Sequence, residues 1–277
     1  MQLGDRMKTY EASVGPSLVK RCPAILRVDG RAFHTFTKGF DKPCDTHMQQ
    51  CMHAVALALC EDISTARFAY GQSDEVSVLL VDYNRLDSDQ WFDGTVQKMV
   101  SVAAAIATIA FNREMHWLYA EALAAWTDKI TDNRLTAADT EPYLEKTEFL
   151  EGKLNRAVFD ARVFSIPRED AANNFVWRQQ DAVRNSIQSA GQQRFSHNEL
   201  HGKSCDDIQE MLFSQYGINW NDFPVEQKRG FAVYRKPGTK KTPSGSVEAM
   251  MWAVDTEIPT FTKDRDFVDA LVHRTEE

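Results

Sequence analysis

Residues 66–82 read ARFAYGQSDEVSVLLVD, and how this stretch folds decides the architecture. ARFAY (66–70) has the aromatic and small apolar residues of a strand, and VSVLLVD (76–82) is a second, β-branched run. Between them GQSDE (71–75) supplies glycine and short polar side chains that favour chain reversal. The spacing therefore predicts a hairpin whose turn carries Ser73, Asp74 and Glu75. An acid at a hairpin tip is commonplace unless a second acid is brought beside it.

Working outward, AILRV (24–28) reads as a strand buried on both faces. CDTHMQQCMHAVALALCEDI (44–63) reads as a helix, with Asp45 as N-cap and Met52, Val55, Ala56 and Leu59 along one face. A long helix over 90–112, ending near Asn112, precedes a helical insertion at 113–155 that contains Trp117 and Trp126. AVFDARVFSI (157–166) is a fourth strand. The order β-α-β-β-α-β predicts an α+β fold, the split βαβ or ferredoxin-like sheet of a polymerase palm, antiparallel with both helices on one face. Past 167, helices at 168–190 and 204–216, the loop GINWNDFP (217–224) and strands near 230–235 and 247–254 form a C-terminal extension, with PGTKKTPSGS (237–246) as a flexible tip. The expected organisation is a single unit, 1–277, with its palm-like core over about 5–167 and a C-terminal portion over about 168–277.

In this order the first strand lies beside the hairpin, so Asp29, from RVDGRAFHTF (27–36), approaches Asp74 although 45 positions separate them. Two carboxylates that close repel unless a cation or a proton intervenes, and oxygen donors from Asp29, Asp74 and the Gly30 carbonyl favour Mg²⁺. Two such ions about 4 Å apart would clamp an in-line phosphoryl displacement. The amides of Arg31, Ala32, Phe33 and His34 then form a nest for a triphosphate, with Ser73, Lys42 and Lys98 as further donors.

The 277 residues carry a net charge of −8, a poor match to a nonspecific nucleic-acid binder. The apolar run MVSVAAAIATIAF (99–111) is too short to span a bilayer, and MQLGDRMKTYE at the start lacks a signal-peptide core, so a cytoplasmic location is expected. Cys22, Cys44, Cys51, Cys60 and Cys205 fit no disulfide framework, in keeping with a reducing compartment. Cys44, His47, Cys51 and His53 lie close in sequence, but only His47 and Cys51 share a helical face, so buried thiols and ordinary imidazoles are a better account than zinc. HGKS (201–204) lacks the first glycine of a phosphate-binding loop and reads as a helix start. KRGFAVYRKPGTKK (228–241) gathers six basic residues without an acid, either a solvated strand edge or a polyanion-binding surface.

RVDGRAFHTF, FDKPCD, AYGQSDEVS, VFDARVF, WRQQDAVRNSI and GINWN, in this order over about residues 5–236, resemble motifs of the tRNA(His) guanylyltransferase family and its bacterial, archaeal and phage-type relatives, the 3′-to-5′ RNA polymerases. The resemblance implies a Mg²⁺-dependent nucleotidyltransferase. It would activate a tRNA 5′-monophosphate with ATP, after which the 3′-hydroxyl of GTP or another nucleoside triphosphate attacks the activated end. By this resemblance the metal ligands are Asp29, Gly30 and Asp74. The nucleotide contacts are Asp29, Gly30, Arg31, Ala32, Phe33, His34, Ser73, Asp74 and Lys98, and Lys42 and Asp45 join the two metal-binding acids as catalytic residues. Arg178, Asn185, Lys228, Arg229, Arg235 and Lys236 are expected to contact RNA, and the partners are tRNA and further copies of the chain in a homotetramer. RNA contact and oligomerisation would fall to the C-terminal portion.

Eukaryotic members carry HINN where this chain has VRNS (183–186), and the chain's form is similar to relatives that copy a template while rebuilding truncated tRNA 5′ ends. Template-dependent tRNA 5′-end repair is the expected activity, with guanylylation of tRNA(His) at position −1 as the alternative. Gly94 and Thr95 stand where the family has arginines beside the lysine matched by Lys98. A nucleotide cyclase-like palm enzyme would need no RNA and would leave the tract at 228–241 without a role. A noncatalytic tRNA-binding protein would be expected to lack one of the two metal carboxylates, and both are present.

Overall fold

The computed structural model of the chain describes residues 2–83, 85, 87–131, 136–242 and 245–273. In chain order the elements are α1 (Leu3–Ala12), β1 (Ala24–Gly30), α2 (Phe33–Phe36), α3 (Thr46–Asp62), β2 (Ala66–Gln72), β3 (Glu75–Leu80), α4 (Val96–Thr131), α5 (Ala137–Glu151) and β4 (Phe159–Ser165). They continue with α6 (Arg168–Gln192), α7 (His197–Leu200), α8 (Cys205–Tyr216), α9 (Val225–Arg229), β5 (Phe231–Thr242), β6 (Gly245–Asp255) and α10 (Arg265–His273).

The strands form one antiparallel sheet in the order β4-β1-β3-β2-β5-β6. Alternation along each strand divides its side chains between two faces. On one face Leu26, Val28, Val76, Val78 and Phe159 pack against Met52, Val55 and Leu59 of α3 and Ala103, Ala107 and Phe111 of α4. This is the palm arrangement expected from the element order. The opposite face is covered as well. Ile25, Phe68, Tyr70, Leu79 and Ala232 meet Phe175 and Ala182 of α6 and Val268 and Leu271 of α10. Covered on both sides, β2 and β3 are buried almost without interruption, Arg67, Gln72, Glu75 and Ser77 included.

Two expected boundaries move. The stretch 237–246 is mostly regular ladder rather than a flexible tip, pairing from Pro237 with Met250 to Thr242 with Gly245, and Pro243 and Ser244 lie outside the described residues. The C-terminal extension therefore adds two strands to the palm's own sheet. The long helix does not stop at Asn112: α4 runs 36 residues, about 54 Å at the usual rise. Asn112 instead donates Nδ2 to the carbonyls of Thr108 and Ala157, at 2.8 and 2.9 Å, tying α4 to the approach of β4. Met115, Leu118 and Ala122 prolong the buried stripe beyond it. The expected insertion is thus the outer half of α4 folded against α5. Among the described residues no helix is long and apolar enough to cross a membrane.

Phe111 is the hinge of this packing, its ring meeting those of Phe33, Phe36 and Phe159. Phe111→Ala should cost about 3–5 kcal/mol in urea unfolding, whereas Trp117→Ala should stay within about 0.5 kcal/mol. The contrast follows from exposure: Phe111 is fully buried and Trp117 is 65% exposed.

Candidate active site

The hairpin closes more tightly than the composition of GQSDE suggests. Gln72 pairs with Glu75, leaving only Ser73 and Asp74 in the turn, and Ser73 takes a φ of 52°, as a tight hairpin turn of the primed type requires. On the neighbouring strand Asp29 is the register partner of Glu75, and the Gly30 amide donates to the Asp74 carbonyl at 3.0 Å. The two acids predicted to converge are therefore side by side at one sheet edge. Burial pushes the Asp74 carboxyl up from its ordinary value. The Ser73 hydroxyl, donating at 3.0 Å, pulls it back, and the charge of Asp29 raises it again.

Gly30 has a different reason from the expected sharp turn. Its backbone is ordinary, but a Cβ there would collide with the Phe33 ring, which packs inward among Phe36, Phe111 and Phe159. Phe33 can therefore offer a ligand only its main chain. The amide nest is also smaller than expected. Arg31 spends its amide on the Val158 carbonyl at 2.8 Å, so the amides left without a partner among the described residues are those of Ala32, Phe33 and His34. Ala32 is held left-handed, at φ 55°, to begin α2.

Beside this edge opens a cleft of about 270 Å³. Lys42 and Asp45, Gln72 and Ser73, Asn185, Ser186 and Ser189, and Gln227 and Arg229 line it. Lys42 is exposed on its rim. Asp45 is only 7% exposed and its oxygens are occupied: they accept from the amides of Asp41, His47 and Met48 at 3.0, 2.8 and 3.3 Å. It caps α3, as expected, and shapes the loop that presents Lys42. Of the polar residues that α6 brings here, Asn185 was expected at a ligand, whereas Ser186 and Ser189 escaped the sequence reading, although Ala182, Asn185, Ser186 and Ser189 follow helical spacing along one face. Burial raises the Cys44 thiol on the cleft wall to about 12, which removes it as a nucleophile near neutral pH. His47 and His53 are engaged by Asp45 and Glu226.

A family model described as Thg1, tRNAHis guanylyltransferase, matches residues 4–167. The chain belongs to the tRNAHis guanylyltransferase family. It is accordingly a nucleotidyltransferase. Its fold is similar to that of a bacterial tRNA(His) guanylyltransferase (Thg1)-like protein solved with ATP, at 36% identity and a TM-score of 0.77, covering 98% of this chain and 100% of the other. A bacterial Thg1-like protein solved with GTP gives 33% identity and a TM-score of 0.72 over 98% and 99% of the two chains. The probable tRNA(His) guanylyltransferase of Dictyostelium discoideum is 27% identical over 226 residues, covering 77% of this chain and 75% of the relative.

Within this member of the tRNAHis guanylyltransferase family, several residues expected at the ligands are placed elsewhere. Lys98 sits at the wrong end of α4 for the site in its own chain. Its neighbour Met99 packs with Ala24 and Leu80, whereas the acids lie at the level of Phe111, about 20 Å along the helix. Arg178 is buried in a two-pronged pair with Glu75, at 2.7 and 2.8 Å, so it braces the acid-bearing hairpin instead of reaching RNA. The basic tract is dispersed. Lys228 donates to the Asn221 carbonyl and Arg229 to that of Ile258, while Lys236 pairs with Asp255 at 2.9 Å. Arg235, stacked over Trp252, points to the opposite sheet face from Lys236, because successive strand residues alternate. Asn185 remains exposed on the cleft.

The environment of Asp74 sets a stability signature. With its proton held to a higher pH in the folded protein than in the unfolded chain, the group favours folding at acid pH and loses that contribution as pH rises through the raised value. Metal-free Asp74→Asn protein should therefore be more stable than the parent at pH 7 in urea unfolding, and the gain should vanish below the ordinary carboxylate range.

Proposed function

We propose that the chain adds a nucleotide to the 5′ end of tRNA in the 3′-to-5′ direction, and that guanylylation of tRNA(His) at position −1 is its primary activity. The observation that carries this reading is the convergence of Asp29 and Asp74 beside a cleft that presents Lys42, in a chain whose family and named relatives are tRNA(His) guanylyltransferases. The bacterial Thg1-like neighbours solved with ATP and GTP supply the two nucleotides such a reaction uses. Repair was the expectation from VRNS, and the comparisons favour guanylylation over it.

The donor set fits magnesium. Among the described residues no group of three or more His, Cys, Asp or Glu side chains gathers to hold a metal, so a softer, fully protein-bound ion is not favoured. Two carboxylates and the Gly30 carbonyl suit a hydrated Mg²⁺, which completes its shell with water and phosphate oxygens. Bound there, two ions would supply charge neutralisation for the reacting phosphates. In activation, a 5′-phosphate oxygen of the RNA attacks the α-phosphorus of ATP and pyrophosphate leaves. Lys42, on the cleft rim, neutralises phosphate charge as this happens. In transfer, the 3′-hydroxyl of GTP attacks the 5′-phosphorus of the RNA and AMP leaves, with the amides of Ala32, Phe33 and His34 holding the incoming triphosphate.

Templated repair stays as a second reading because of one local feature. Ser186, at the last position of VRNS, donates to the Gln227 carbonyl at 2.7 Å and accepts from Trp220 Nε1 at 3.0 Å, so it locks α6 to the segment before β5. RNA contact and assembly into a homotetramer by the C-terminal portion, and a cytoplasmic location, belong to the same reading. Lys240 and Lys241 project from the β5–β6 hairpin, and RNA binding should weaken steeply with salt if such charges carry it.

Purified protein given ATP, Mg²⁺, each nucleoside triphosphate in turn and tRNA(His) lacking its −1 residue should add G whatever base lies opposite. Addition that follows the opposing base would establish repair, and product formed without RNA would establish a cyclase. Asp29→Asn should abolish addition with the fold intact by circular dichroism. Lys42→Ala should slow adenylylation and be partly rescued by 5′-triphosphorylated RNA.

A further inference from the structure

Lys153 sits just past the end of α5, a position with no part in the reaction described above, yet its ammonium group is fully engaged. Nζ donates to the carbonyls of Phe36 and Lys38 at 2.5 and 2.7 Å. It stands 5.4, 5.1 and 5.0 Å from the ring centres of Phe36, Phe40 and Phe149. The charge is thus held by peptide oxygens and aromatic faces, a setting in which cation–π attraction strengthens as water is excluded. Burial, with Arg156 nearby, pulls the lysine's affinity for its proton below the ordinary value.

The gripped carbonyls belong to the segment that joins α2, with its free amides, to Lys42. Gly39, in the middle of that segment, adopts a φ of 92°, and a Cβ there would stand 2.7 Å from the Phe149 ring. Phe40 meets the Phe149 ring edge-on at 4.9 Å and lines the cleft together with Thr37 and Lys42. The wall of the cleft is therefore backed by α5, and α5 is carried by the outer part of α4.

We propose that Lys153 is a positioning residue that clamps residues 36–42 against the α4–α5 hairpin, so that this hairpin serves as a rigid support for Lys42 in the activation step. The step itself rests on the function proposed above; the clamp is a property of the chain that can be read without it. A lysine tied only to its own helix would add stability and nothing else. This one spans 117 positions to fasten the segment that leads to the activating lysine.

The test is Lys153→Met, which keeps an apolar stem of similar length and removes charge and donors. Losing two charge-assisted bonds should speed amide exchange at 36–42 by about tenfold and raise the KM for ATP in adenylylation by about tenfold. Addition to 5′-triphosphorylated RNA, which skips activation, should stay within about twofold, since uniform loss would mark a merely structural role. Phe149→Leu, which opens the cage from α5 without touching the charge, should move both quantities in the same direction and decides the matter if the first variant does not fold. Parental exchange at 36–42, or equal losses in activation and transfer, would overturn the proposal. If the parental protein adenylylates no RNA, the proposed function falls and the exchange measurement alone judges the clamp.

Discussion

Asp29 and Asp74 are held together by bonds that neither carboxylate controls. Their separation is set by the pairing of β1 with β3, and that register is enforced by Leu26 and Val28 on one strand and Val76 and Val78 on the other. A slip of one residue in either strand would turn its pair away from α3 and α4 and bring the residues of the opposite face there instead, mispacking both cores. The apolar alternation of the sheet thus imposes a juxtaposition that the acids alone would resist. Burial is the larger cause of the raised proton affinity of Asp74 and the charge of Asp29 adds to it, so a divalent cation between the two would relieve the repulsion.

The same edge needs a brace behind it, and α6 supplies one. Glu75 directly follows the functional acid, and its burial would be costly without the Arg178 guanidinium. One residue on, Gln179 donates to the Pro259 carbonyl at 2.9 Å and accepts from the Phe261 amide at 2.7 Å, so the segment leading to α10 hangs on the same helix. Toward its other end α6 presents Asn185, Ser186 and Ser189 to the cleft. One helix therefore fixes the hairpin with charge, the C-terminal segment with an amide, and the cleft with short polar groups. This explains why a motif as dense as WRQQDAVRNSI reads as ligand-binding while much of it is structural.

What was legible in the sequence follows from which forces are local. The cap at Asp45 and the approach of Asp29 to the hairpin could be read because hydrogen-bonding types and strand order determine them. The role of Arg178 could not, because an arginine bound for a buried pair has the same local surroundings as one bound for phosphate. Asn112 resembled a helix stop, and only its reach to Ala157, 45 residues away, explains why it lies within α4. The basic tract does not form one continuous patch: read with period two, Arg235 and Lys236 belong on opposite faces of a strand. Lys98 was misplaced for want of direction along α4, since a helical pattern does not say which end meets the acids.

The site also carries backbone strain on both sides of the carboxylates. Ala32 and Ser73 are left-handed without being glycine, at φ 55° and 52°, one opening α2 and the other opening the hairpin turn. Such conformations persist only where the surroundings over-determine them. Ser73 is pinned by the pairing of Gln72 with Glu75, and Ala32 by the inward packing of Phe33. In exchange, Ala32 frees a run of amides and Ser73 aims its hydroxyl at Asp74 while bordering the cleft. Ser73 thus touches Asp74 and also lines the cleft holding Lys42. In the proposed reaction a phosphate would pass from activation to transfer across such a shared boundary, and a two-residue turn between buried strands is a rigid element to place there.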